Sequence, residues 1–168
     1  MGEITRLNKI LTKFVKKFGI DKAIYTGGYS FSYEDNTLEY KVTNRTWGDV
    51  WFEEYVEERF NHTVKNSFIM SILHEIGHSQ ANEEIEGAIL DFCLNEKFRI
   101  DVEMLVAENE EDEETAKILS WQYYNLPDEI MATQWAVNYA ETHTEELKQL
   151  ALAIMPLVNN LSRTVKED

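Results

Sequence analysis

The spacing of apolar residues changes after the first twenty positions, and the predicted structure changes with it. Apolar residues recur at helical spacing over 4–18, which predicts a surface helix that ends at the glycine directly after it. Apolar and polar residues then alternate over 29–33 and again over 38–42, with the turn-like segment 34–37 between them. This pattern predicts an antiparallel β-hairpin, to which residues 23–25 could add a third short strand.

Helical spacing dominates the rest of the chain. The predicted helices cover residues 48–60, 64–79, 83–98, 113–124 and 129–141. Thr142 and Glu145 have the spacing of a capping box, so the last helix is predicted to start near Thr142, with a kink at Pro156. The acidic run 108–114 cannot bury itself and is predicted to be a solvated loop or the start of a helix. We expect one α+β domain over 1–168, mostly helical with a small antiparallel sheet.

The composition and the cysteine content predict a globular protein of the cytoplasm. Of 168 residues, 43% are hydrophobic and 28% are charged, which is enough apolar material for a packed core. Cys93 is the single cysteine, so the chain has no internal disulfide, and this favours a reducing compartment. No run approaches about 18 consecutive apolar residues, so no segment is predicted to span a membrane.

The charge is strongly acidic and unevenly distributed. The chain has 16 Lys and Arg against 31 Asp and Glu, a formal net charge of -15. Because nucleic-acid binding requires a basic surface that neutralises phosphates, this balance argues against a nucleic-acid partner. Residues 1–22 hold six cations and two anions. This first segment therefore either rests on an acidic body as an amphipathic helix or faces an acidic partner.

One five-residue segment has the pattern of a zinc-binding helix, H-E-x-x-H, and reads His74-Glu75-Ile76-Gly77-His78. On a helix, two histidines four residues apart lie about 40° apart around the axis and one turn apart along it. Both imidazoles can then bind one zinc ion at about 2.0–2.1 Å, and the adjacent Glu75 can act as general base on water that the metal activates. In a chain of this composition the pattern is expected by chance only about 0.01 times.

The residues around this motif favour a helix whose histidines point away from the core. The opposite side of the helical projection is apolar and comprises Phe68, Ile69, Ile72, Leu73 and Ile76. One face can therefore be buried while the other presents His74 and His78 to a cleft. Gly77 costs about 1 kcal/mol relative to Ala inside a helix, which indicates close packing beneath the site.

A catalytic zinc site needs a third protein ligand. The extended metzincin motif is excluded, because Ala81 and Glu84 stand where it has Gly and His. The best candidate is Glu129, which Pro127 places in the first turn of a helix, although an acid at this position also complements the helix dipole. Its neighbours on the same face are small, which allows close approach to another helix: Ala132, Thr133, Ala136 and Ala140. The alternative ligands are Asp128, His143, Glu86 and Asp91.

The two halves of this predicted site resemble the ImmA/IrrE-type zinc peptidases of phages and mobile elements. That family pairs an H-E-x-x-H helix with a downstream E-x-x-A-x-x-F-A helix, which is similar to Glu129-x-x-Ala132-x-x-Trp135-Ala136. The resemblance implies a zincin-like fold in which Glu75 is the general base and zinc is held by His74, His78 and Glu129. It also implies a phage or mobile-element origin, with cleavage or antagonism of regulatory proteins as the function.

Two further features bear on the chemistry. Aromatic side chains near the predicted site are candidates for stabilising an oxyanion, namely Tyr123, Tyr124 and Tyr139, together with His143. The predicted hairpin could also offer an edge strand to an extended peptide.

Three functions are open from the sequence. The first is a zinc-dependent peptidase that acts on a protein or peptide substrate. The second is a non-enzymatic acidic protein that occupies a basic partner, in keeping with the net charge of -15. The third is a zincin-like fold whose metal is structural. Metal content separates the second function from the others, and an open coordination position separates the first from the third.

Overall fold

The computed structural model describes residues 2–81, 85 and 87–164. The helices are α1 Glu3–Val15, α2 Trp47–Phe60, α3 Ser67–Ala81, α4 Gly87–Asn109, α5 Glu113–Tyr124, α6 Pro127–Thr142 and α7 Thr144–Thr164. The strands are β1 Lys22–Tyr25, β2 Ser30–Ser32 and β3 Thr37–Tyr40. The predicted mostly helical α+β fold is confirmed for these residues. No helix of the described part is long and apolar enough to cross a bilayer.

The sheet is mixed, so the prediction of a purely antiparallel sheet was wrong. β2 and β3 form the predicted antiparallel hairpin, with Phe31 opposite Leu38. The third strand, β1, pairs parallel with the other side of β3, which gives the order β1-β3-β2. Leu38 and Tyr40 of this central strand are fully buried. In this order β2 is an edge strand.

The N-terminal helix packs on the body of the protein. Leu7 and Leu11 of α1 are fully buried in a core that includes residues of α3, α7 and the sheet. A short 3-10 turn follows α1 and ends at Gly19, which has the left-handed φ of 78° that favours glycine after a helix. Lys17 forms an ion pair with Glu146 of α7. The amphipathic interpretation of this basic segment therefore fits the structure.

The helix boundaries differ from prediction around the acidic run and near Thr142. The helix predicted over 83–98 continues to Asn109, and its predicted first residue lies outside the described residues. Asp112 then caps α5 by accepting a hydrogen bond from the Thr115 N–H at 3.1 Å. Thr142 ends α6 rather than capping α7, because its hydroxyl donates to the Asn138 carbonyl at 2.8 Å. α7 continues through Pro156.

The contact between α3 and α6 carries the candidate site and depends on one glycine. A Cβ added at Gly77 would lie 2.3 Å from the carbonyl oxygen of Ala132, so the two backbones touch without an intervening side chain. Ala132, Thr133 and Ala136 of α6 are fully buried along this contact. The predicted close packing at Gly77 and the predicted small face of α6 are both present.

Gly77→Ala is expected to destabilise the protein by about 2–4 kcal/mol, because overpacking against a rigid backbone outweighs the gain of about 1 kcal/mol in helix propensity. Urea unfolding of the two chains measures the difference. The control is Gly48→Ala in α2, where the new Cβ would meet only the Thr46 hydroxyl, at an ordinary 3.6 Å. Equal stability of Gly77→Ala and the parent would show that α3 and α6 can separate without cost.

Candidate metal centre

α3 presents the two histidines of the motif on one side of the helix. His74 and His78 lie one turn apart, and their Nε2 atoms are 3.1 Å from each other. His74 and Glu75 are buried, while His78 is partly exposed. The apolar side of α3 is buried in the main core, as the helical projection predicted.

α6 supplies the carboxylate that completes the cluster. Glu129 lies in the first turn of α6, which Pro127 begins. One carboxylate oxygen of Glu129 is 2.8 Å from His74 Nε2, and the other is 3.3 Å from His78 Nε2. Among the described residues, these three side chains form the one group of three or more His, Cys, Asp or Glu residues that could hold a metal, with ligand atoms within 4.8 Å of one another.

The donor set fits zinc. Two imidazole nitrogens and one carboxylate oxygen are the ligands of a common type of catalytic zinc site. Ligands at about 2.0–2.1 Å in a tetrahedron are about 3.3 Å apart. The two Nε2 atoms here are 3.1 Å apart, and each lies close to a different oxygen of the Glu129 carboxylate, at 2.8 Å for His74 and 3.3 Å for His78. His74, His78 and Glu129 could therefore hold zinc.

Thr133 orients His74. Its hydroxyl oxygen lies 3.1 Å from His74 Nδ1, and Thr133 is fully buried one turn after Glu129 on α6. An Nδ1–H that donates to this oxygen leaves the Nε2 lone pair directed at the metal position. A partner of this kind on the second ring nitrogen is typical of metal-binding histidines. From the sequence, Thr133 was predicted only as a small residue on the face of α6.

Lys97 of α4 is a residue of the candidate site that the sequence analysis missed. Its ammonium lies 2.5 Å from a Glu129 carboxylate oxygen, and it also pairs with Asp128. The ammonium also lies over the ring of Tyr123, 5.1 Å from the centroid. The sequence did hold an indication that Lys97 faces inward. Lys97 shares helical spacing with Cys93 and Ile100, which form the buried side of α4.

The charges in the cluster perturb one another. Burial alone would raise the pKa of Glu129, but hydrogen bonds from His74 and His78 hold that pKa well below its usual range. Burial alone would lower the pKa of His78, but the hydrogen bond to Glu129 and its negative charge raise it. Burial raises the pKa of Glu75 despite the opposing charges of the two histidines. Burial alone would lower the pKa of Lys97, and the charge of Glu129 raises it.

The cluster lies in a cleft of about 430 Å³. Residues of the edge strand β2 line the cleft, and α4 contributes Leu90, Leu94 and Lys97 to the lining. Glu75 also lines the cleft, next to the two histidines. A cavity of this size and mixed polarity suits a small ligand or a segment of peptide.

The other predicted residues separate into those near the cluster and those away from it. Tyr123 and Tyr124 line the cleft, and the structure adds Tyr29 and Tyr33. The Tyr33 hydroxyl donates to the His78 carbonyl at 3.2 Å. Tyr139 and His143 lie elsewhere, stacked on each other with ring centroids 3.9 Å apart.

The alternative third ligands that the structure describes are not brought to the histidines. Asp128 turns to Lys97 instead. His143 stacks on the aromatic ring of Tyr139, and Asp91 is exposed on α4. Glu86 lies outside the described residues. Of the alternatives that the structure describes, none joins the cluster of His74, His78 and Glu129.

Lys97→Met is expected to destabilise the metal-free protein by about 2–4 kcal/mol, because two buried carboxylates lose their shared cation. Saturating zinc is expected to restore part of this loss, because a metal compensates the charge of Glu129. Thermal or urea unfolding with a chelator and with zinc measures both effects. The control is Lys117→Met, which breaks a half-exposed pair with Glu54 and is expected to cost less than about 1 kcal/mol. Equal losses for the two variants would show that the Lys97 pair is screened by solvent.

Comparison with known proteins supplies no relative. No family model, no curated protein and no solved structure matches the chain. The similarity of the two motifs to ImmA/IrrE-type peptidases therefore stays a prediction.

Proposed function

We propose that this protein is a zinc-dependent peptidase with a zincin-like site. The convergence of His74, His78 and Glu129 within 4.8 Å, with Glu75 beside them in an open cleft, is the observation that carries the proposal. Zinc bound there supplies a Lewis acid that activates water and polarises a carbonyl. The chain's own residues supply the base, the orientation of the ligands and the substrate-binding surface.

Glu75 is the general base. It follows His74 directly and lines the same cleft, yet it is not one of the three clustered ligand side chains. Its carboxylate is therefore free to accept a proton from water. A base with a raised pKa holds a proton more readily than an ordinary carboxylate, and burial raises the pKa of Glu75.

The edge strand β2 supports a peptide as the substrate class. Ser30 and Phe31 of this strand line the cleft beside the catalytic cluster. An extended peptide can pair with the free edge of such a strand, so that the backbone of the substrate is held while its side chains select the sequence. In this proposal β2 is the strand of the predicted hairpin that pairs with the peptide.

The shape of the cleft argues for catalysis over a purely structural metal. A structural zinc site is closed by four protein ligands, whereas the described residues bring three ligands together. His78 is partly exposed and borders the cleft. A small molecule can therefore reach the position that the three ligands leave open.

The purified chain is expected to bind one equivalent of zinc, with an affinity that falls as the pH is lowered. The raised pKa of His78 means that a proton competes with zinc at higher pH than for an ordinary histidine. Below that pKa, displacement of this one proton is expected to cost about tenfold in zinc affinity per pH unit. Elemental analysis and competition with a chromophoric chelator between about pH 8 and 5.5 measure both quantities.

The same preparation separates a catalytic from a structural site. A hydroxamate is expected to raise the melting temperature of the zinc-loaded chain and to leave the chelator-treated chain unchanged. A chain that binds well under one equivalent of zinc, with no change in melting temperature, would contradict the metal site. Zinc binding without any hydroxamate effect would favour the structural metal.

A further inference from the structure

The outer side of α4 carries an unusual row of exposed apolar side chains. Between 47% and 73% of each is exposed, and the row comprises Leu94, Phe98, Val102, Leu105 and Val106. Most of them recur every three or four residues, so they share one side of the helix. We call these five residues the outer stripe. Together they present roughly 500 Å² of apolar surface, which is at the upper end for a monomer without a partner.

The outer stripe is continuous with the candidate active site. Leu94 belongs both to the stripe and to the lining of the cleft. From Leu94 the stripe follows α4 to Leu105, a distance of about 16 Å at the rise of an α-helix. A protein whose scissile segment enters the cleft would therefore bring neighbouring parts of its surface onto this stripe.

The surroundings of the outer stripe are acidic. Residues 87–124, which include α4 and α5, contain ten Asp and Glu against three Lys and Arg. All three cations form ion pairs with acidic side chains of this protein. By helical projection, the exposed carboxylates of Asp101 and Glu108 lie along one side of the stripe, and that of Asp91 lies just before its first residue. These three take part in no ion pair among the described residues.

We propose that the outer stripe docks a basic amphipathic helix of the protein substrate. This inference rests on the proposed peptidase function and adds a specificity surface outside the cleft. A helix with apolar residues at three- and four-residue spacing can pack along the stripe, and its flanking Lys or Arg can reach the carboxylates of Asp91, Asp101 and Glu108. Complementary charge gives such a surface its selectivity and a fast association rate.

A second copy of this chain fits the stripe less well. Each copy carries a net charge of -15. Asp101 lies beside the stripe, about halfway along its length, so an antiparallel pair of α4 helices packed through the stripe would place the two Asp101 carboxylates near each other. Like charges at that distance oppose association. An anionic membrane surface is disfavoured for the same reason.

The docking test measures binding of a labelled 18-residue peptide, composed of Leu and Lys at helical spacing, to the full chain by fluorescence anisotropy. Phe98→Ser/Leu105→Ser is expected to weaken binding at least about tenfold, which corresponds to the loss of two apolar contacts. The matched pair is Leu105→Ser and Leu152→Ser, because these leucines are 61% and 65% exposed but only Leu105 lies on the stripe. Asp101→Asn/Glu108→Gln is expected to weaken binding at low salt and to have little effect at high salt.

Three results would overturn the docking proposal. The first is equal affinity of the Leu and Lys peptide for the parent and for Phe98→Ser/Leu105→Ser. The second is that a peptide of Leu and Glu with the same spacing binds as tightly as the peptide of Leu and Lys. The third is self-association of the chain, seen in sedimentation velocity and abolished in Phe98→Ser/Leu105→Ser. The binding assay uses the zinc-free Glu75→Gln chain, so its result does not depend on peptidase activity. If cleavage of host proteins is detected, Phe98→Ser/Leu105→Ser is expected to slow it about tenfold at unchanged zinc content. An unchanged cleavage rate would show that the outer stripe does not dock the substrate, and would contradict the proposal.

Discussion

Glu75→Gln is expected to slow peptide hydrolysis by about 10²–10⁴ while the fold and the bound zinc remain. Glutamine keeps the shape of the side chain and loses the oxygen that accepts the proton. The side chain is buried and burial raises the pKa of Glu75, so a neutral isostere is expected to leave the free energy of unfolding unchanged or higher. Zinc content should not change, because Glu75 is not among the three clustered ligands.

The measurement compares new protein termini in a bacterial host that expresses either the parent chain or Glu75→Gln. A proteome-wide readout is needed because an enzyme that serves one regulator would not cut a generic protein. Glu141→Gln serves as the control. Glu141 is exposed, lies at the other end of α6 from Glu129, and contacts His62. Termini that appear equally with the parent and with Glu75→Gln would contradict the peptidase function. Termini in neither would favour the acidic binding protein.

Glu129→Ala is expected to lower zinc affinity by more than about 100-fold, because loss of a direct ligand exceeds the 10–100-fold cost of losing an outer-shell partner. Asp128→Ala is the matched control on the adjacent residue. Asp128 pairs with Lys97 and makes no contact with His74 or His78. Its removal is expected to change zinc affinity by less than about tenfold.

Zinc affinity of both variants is measured by chelator competition below their melting temperatures. In Glu129→Ala, Lys97 keeps Asp128 as a partner, so a weakened site is expected in a folded chain. Equal zinc affinity in Glu129→Ala and the parent would show that Glu129 is not a ligand. A larger loss in Asp128→Ala than in Glu129→Ala would transfer the role of third ligand to Asp128.

The sequence analysis succeeded where structure depends on neighbours along the chain. The faces of α3 follow from residues within two turns of one another, so the separation of His74 and His78 from the apolar side could be predicted. Gly19 and Pro127 mark the end and the start of helices through their own backbone preferences. The end of α4 was not predicted, because the apolar outer stripe stands beside the buried side of the helix, and the two together blur the helical period.

Only the tertiary structure decided which side chains meet. β1 pairs parallel with β3, which lies at the centre of the sheet, and β2 is thereby left as an edge strand beside the cleft. Lys97 reaches Glu129 because α4 packs beside α6, across 32 residues of sequence. Thr133 meets His74 for a similar reason, across 59 residues.

What the sequence determined and what the tertiary structure decided differ in how far apart along the chain the interacting residues lie. The sequence by itself determined the pair of histidines, the adjacent carboxylate of Glu75 and a helix with a carboxylate in its first turn, because helical geometry relates residues three and four apart. The tertiary structure decided that Glu129 and not Asp128 faces the histidines, that Lys97 shares its carboxylate, and that Thr133 orients His74. These contacts depend on how α3, α4 and α6 pack. The close approach at Gly77 sets the distance between α3 and α6.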